Sequence, residues 1–100
     1  MSSIRQKQSR FVWMVHLLIQ YAYNNGYELT FGDAWSKPEY KAHKNHSFHY
    51  RRLAVDLNLF RDGEYLKKTE DHKPLGEYWE TLGGTWGGRF DDGNHYSYGE

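Results

Sequence analysis

Hydrophobic positions in the first quarter of the chain fall at helical intervals. Phe11, Val15, Leu18 and Ala22 recur three or four residues apart, with Met14 and Tyr21 beside them. The pattern predicts an amphipathic helix over residues 4–24, ended by Asn24-Asn25-Gly26. "YELTFG", residues 27–32, predicts a short strand. Residues 33–45 are polar, and Pro38 ahead of Glu39-Tyr40-Lys41-Ala42 predicts a short helix with proline in its first turn. Alternation is clearest in residues 53–60, where Leu53, Val55, Leu57 and Leu59 face one way and Ala54, Asp56 and Asn58 the other. Asp62-Gly63 marks a hairpin turn. Leu75, Tyr78, Trp79 and Leu82 share one side of a helix predicted over residues 74–82, which Gly83-Gly84 ends. "TWGGRF" and "NHYSYG" predict short strands joined by tight turns. This order of elements is that of an α+β domain. A chain of 100 residues without repeat, linker or low-complexity tract fits a single domain spanning 1–100.

Composition narrows the chemistry. Aromatic residues make up 18% of the chain, with four Trp and nine Tyr, which argues for a packed core despite a mean hydropathy of -0.96. Thirteen cationic residues balance thirteen acidic ones, so no basic surface for nucleic acid is expected. Cysteine is absent, which excludes disulfides and thiolate metal sites. Any metal must then be held by imidazole, of which there are six, and carboxylate. The basic start and apolar residues 11–23 mimic a signal peptide, but His16 and Gln20 interrupt the run and no small-residue cleavage site follows. The stretch is too short and polar to span a bilayer, and no stable membrane association is expected. His16 reads as a satisfied core or boundary histidine, and His72, within "TEDHKP", as solvated.

Two stretches carry candidate chemistry. In "HSFHYRRLAVDL" His49 and Asp56 are seven positions apart. On an unbroken strand they would take opposite faces, and on an unbroken helix they would lie two turns, about 10 Å, apart. Sharing one metal therefore requires a bend, expected at Arg51-Arg52. In "DDGNHYS" a Gly93-Asn94 turn would set Asp92 beside His95. A water-activating zinc site needs three protein ligands, an open position and a nearby base. His95 would be the third ligand and Asp92 the base. Taken alone, each stretch also reads as ordinary solvated loop and strand. His43, His46 and His49 recur every third residue, but no carboxylate partner accompanies them.

"SFHYRRLAVDLNLF" resembles the Ser-x-His-x-x-x-x-Ala-x-Asp motif of the zinc D-alanyl-D-alanine carboxypeptidase family, which includes phage L-alanyl-D-glutamate endopeptidases and shares its fold with the zinc domain of hedgehog proteins. "WETLGGTWGGRFDDGNHYS" resembles that family's C-terminal signature, a Trp-Gly-Gly followed by acid-x-x-His. The resemblance implies a hedgehog/DD-peptidase-like α+β fold, a central antiparallel sheet with flanking helices. It implies Zn2+ held by His49, Asp56 and His95, with Asp92 as the catalytic acid–base. Ser47 would hydrogen-bond near the metal or substrate, and Trp86 and Tyr96 would flank the cleft, Trp86 reading equally as plain core. The implied activity is hydrolysis of peptide bonds in peptidoglycan stem peptides by a monomeric phage endolysin, made in the host cytoplasm and released to the cell wall or periplasm.

Two departures qualify this. Arg52 stands where family members often have glycine. Ser36 stands where they usually carry an arginine that stabilises the oxyanion or binds a substrate carboxylate, and Lys37, Lys41 and Arg51 are open as replacements. The departure at Ser36 keeps a second reading open, a non-catalytic zinc-containing module that binds cell wall or peptide. A metal-free interaction protein is the third.

Overall fold

The computed structural model describes residues 3–32 and 52–99. Helix α1, Ile4–Asn24, begins at a capping box: the Gln6 N–H donates to the Ser3 hydroxyl and the Ser3 N–H to the Gln6 side-chain carbonyl. Its far end is a Schellman turn. Gly26, at φ 83°, donates to the Tyr23 carbonyl, and Tyr27 donates to that of Ala22. The chain then enters β1, Glu28–Phe31.

The central strand is β2, Ala54–Arg61. On one edge it pairs with β1 through Leu57–Phe60. Its other edge is shared: β3, Glu64–Leu66, pairs with one end, and β5, His95–Ser97, with the other. β4, Thr85–Trp86, adds outside β5. All five strands are antiparallel, in the order β1-β2-β5-β4 with β3 off that path. Asp62 and Gly63, both left-handed, form the two-residue turn between β2 and β3, whose twist matches that of the strands. Helix α2, Lys73–Thr81, follows a 3-10 turn at Thr69–His72 and ends at left-handed Gly83.

The alternation in β2 positions the site. Leu53, Val55, Leu57 and Leu59 are buried with Phe11, Met14, Leu18 and Ala22 of α1 and Leu75 and Trp79 of α2. Trp79 is fully buried, edge-on to Phe11 and Tyr96, and its indole N–H donates to the Ser97 carbonyl at 2.9 Å. The helices thus cover one face of the sheet, and Asp56 and Asn58 stand on the opposite face, half-buried.

Two expectations change against this fold. His16 is exposed and satisfied locally, its Nδ1 2.7 Å from the Trp13 carbonyl, so it belongs to the surface and not the core. His72, expected to be solvated, is 2% exposed, because the 3-10 turn carries its ring inward to the Tyr96 hydroxyl. Tyr96 is itself fully buried. The short helix expected after Pro38 falls outside the described residues.

Candidate active site

Asp56 of β2 and His95 of β5 are direct cross-strand partners. Both point away from the helices, each side chain about one-fifth exposed, with His95 Nδ1 3.2 Å from Asp56 Oδ1. A carboxylate only accepts, so in a direct hydrogen bond Nδ1 would carry the hydrogen, and a metal shared by these two atoms would take that hydrogen's place. The same 3.2 Å matches the edge of a tetrahedron with metal–ligand bonds of about 2 Å. The donor set is therefore suited to zinc, as carboxylate oxygen beside imidazole nitrogen in a partly dehydrated setting. Among the described residues no group of three such donors is gathered. The third expected ligand, His49, lies outside the described residues, as do Ser47, Ser36, Lys37, Lys41 and Arg51. Arg52, the first described residue after them, is left-handed at φ 60°, so it is not part of the regular strand that starts at Ala54, and the expected bend itself falls largely outside the described residues.

The turn between β4 and β5 is held at almost every residue. Asp92 N–H donates to the Gly87 carbonyl at 2.9 Å, and His95 N–H to the Asp92 carbonyl at 3.1 Å. The Gly93 carbonyl accepts from the Trp86 indole at 2.8 Å, and its N–H donates to the Thr69 hydroxyl at 3.3 Å. The Asn94 carbonyl accepts from Leu57 N–H at 2.9 Å, tying the turn to β2. Asp92 is exposed at the rim, and its carboxylate makes no hydrogen bond to a described residue. The exposed Asp92 carboxylate thus stands on a turn held by five hydrogen bonds, three residues before His95.

Trp86 and Tyr96 support this arrangement from beneath. Trp86 is 3% exposed and its ring packs against Gly76 and Gly88, where a side chain would collide with it. Only its margin borders open space, a groove of about 660 Å³ beside the turn that Lys68, Lys73, Arg89 and Asp91 also line. Tyr96, expected to flank the cleft, instead faces the helices, because alternation along β5 turns it opposite to His95. Its hydroxyl lies 2.8 Å from His72 Nδ1. Burial pushes the Tyr96 hydroxyl pKa upward and lowers that of His72 to about 4, with nearby Asp71 opposing the latter more weakly. This buried pair escaped the sequence reading; the one signal for it was Pro74, which marks a helix start and makes residue 72 a cap position.

The Trp-Gly-Gly motif acquires a steric reason. A β-carbon on Gly87 would collide with the Asp92 carbonyl oxygen and come within 2.8 Å of His95 Cβ. Gly87→Ala is expected to lower stability by about 1–3 kcal/mol, an overpacking penalty, and to misplace Asp92 and His95. Thermal unfolding and turnover measured together check it, and unchanged values in both would contradict the contact.

The structure is thus a small α+β domain with a cross-strand carboxylate–imidazole pair on the sheet face opposite the helices. A family model described as D-alanyl-D-alanine carboxypeptidase matches residues 41–98, and the chain belongs to that peptidase family. No curated protein matches the chain. The matched stretch contains β2 through β5 and every expected site residue, while α1 and β1 precede it.

Proposed function

We propose that this protein is a zinc-dependent peptidase that hydrolyses peptide bonds in peptidoglycan stem peptides and serves as a phage endolysin. The observation that carries the reading is the Asp56–His95 pair at 3.2 Å with exposed Asp92 on the braced turn beside it. Asp56 and His95, with His49, would hold zinc. When bound, zinc supplies a Lewis acid that acidifies a water and polarises the scissile carbonyl. Asp92 takes the proton of the attacking water and returns it to the leaving amine. The fixed turn keeps its carboxylate near the reacting atoms without reorganisation. The scissile bond is L-Ala-D-Glu or D-Ala-D-Ala, and the enzyme reaches the wall after release from the host cytoplasm.

Purified peptidoglycan incubated with the protein and read by mass spectrometry tests the reading and identifies the bond. Chelation should abolish cleavage and zinc should restore it, with about one zinc per chain by elemental analysis. Full cleavage by metal-depleted protein would remove the metal from the mechanism. Bound zinc without cleavage, and no effect of Asp92→Ala on ligand binding, would favour the binding-module reading that the Ser36 departure allows.

A further inference from the structure

Charge is segregated in this neutral chain. Helix α1 holds Arg5, Lys7 and Arg10, no acid, and none of the chain's thirteen acidic residues, so it carries +3 and the remainder −3. Among the described residues none of the three cations has an ion-pair partner. α1 also exposes two large apolar side chains in succession, Val12 at 66% and Trp13 at 45%. The Arg10 guanidinium lies over the Trp13 ring at 4.4 Å, joining the cationic and aromatic groups into one patch. Nothing in the peptidase reading uses this face, and it lies outside the residues that match the family.

We propose that the outer face of α1 docks reversibly on an anionic lipid bilayer surface. Arg5 and Arg10 seek the headgroup phosphates, while Trp13 and Val12 enter the headgroup–acyl boundary. The exposed apolar groups favour lipid over a soluble phosphate polymer, which would engage the charges and leave Val12 and Trp13 wet. No helix among the described residues is long and apolar enough to cross a membrane, so the contact is peripheral. The sheet gives it a direction. α1 packs on the face bearing Leu53, Val55 and Leu57, and Asp56 and His95 occupy the other. Docking by α1 therefore aims the candidate site away from the lipid, towards a wall layered over the membrane.

Co-sedimentation of the full chain with phosphatidylcholine vesicles, with and without phosphatidylglycerol, tests this. The two exposed cations, Arg5 and Arg10, at roughly fivefold each predict a preference for anionic vesicles on the order of 25-fold at low salt, much reduced at 0.5 M salt as expected for screened charge. Arg5→Glu with Arg10→Glu should abolish the preference, and Val12→Ser with Trp13→Ser should weaken binding at unchanged charge. All four positions are exposed, and circular dichroism will show that the fold persists. Equal binding to neutral and anionic vesicles, or unchanged binding by the charge-reversed variant, would overturn the proposal. Binding to inorganic polyphosphate that is insensitive to Val12→Ser with Trp13→Ser would overturn it in favour of a phosphate polymer. Cleavage of soluble stem peptide by the same variants should stay at the wild-type level, so this test and that of the peptidase reading fail independently.

Discussion

Asp92→Asn is expected to lower peptidoglycan cleavage by about 10²–10⁴-fold, the usual contribution of general acid–base catalysis, while zinc content and melting temperature stay close to wild type. The structural ground is the division of labour at this residue. Its backbone N–H and carbonyl brace the turn, through Gly87 and His95, and asparagine retains both. Its carboxylate stands exposed and makes no hydrogen bond to a described residue, so its loss breaks none of the hydrogen bonds among the described residues. Exposed substitutions of this kind usually fall within about 0.5 kcal/mol. The neighbour is the control. Asp91 is left-handed at φ 59°, a conformation asparagine tolerates well, so Asp91→Asn should retain both fold and activity. If Asp91→Asn is the inactive variant and Asp92→Asn the active one, the base lies one residue earlier than assigned.

The second large effect is a loss of stability in mild acid that traces to His72. Its folded pKa is depressed to about 4 by burial, against 6.5 when unfolded. Between these values the unfolded chain binds a proton that the folded chain refuses, so stability rises with pH across this window. The contribution is fully present above pH 6.5 and is lost progressively as pH falls towards 4. A shift of this size corresponds to about 3 kcal/mol at the lower end, a large share of what a small domain has. Urea unfolding at intervals between pH 7.5 and 4.5 should show the decline, and His72→Gln, which cannot titrate, should flatten it at a lower overall stability. Parallel pH slopes for the two proteins would assign the acid sensitivity elsewhere. The Glu80–Arg89 pair, at 2.7 Å on the surface, is not the source: it is exposed and open to solvent screening.

These outcomes separate what was legible in the chain from what was not. The helix expected over residues 4–24 is α1, Ile4–Asn24, because its apolar spacing and its terminal glycine are both local signals. The first two strands and the second helix fall within a residue of their expected bounds for the same reason: Glu28–Phe31 against 27–32, Ala54–Arg61 against 53–60, and Lys73–Thr81 against 74–82. Asp56 was legible as the polar side of an alternating strand. His72 was misread because its sequence neighbours, Glu70, Asp71 and Lys73, are charged, while its burial comes from Tyr96, 24 residues away. Tyr96 was placed in the cleft because it follows His95, although adjacent strand residues point to opposite faces.

Local order, in short segments with their caps and turns, was determined by the sequence alone, since periodicity and turn chemistry act over a few residues. So were the types of donor available to a metal, through the absence of cysteine and the surplus of histidine. Tertiary structure alone decided that Asp56 faces His95, 39 residues later, because only the register of β2 against β5 sets which residues oppose each other. It also decided that Trp86 and Thr69 hold the turn bearing Asp92, and that the cationic face of α1 lies behind the sheet from the candidate site. Such pairings depend on how faces pack, and packing joins residues that no local pattern relates.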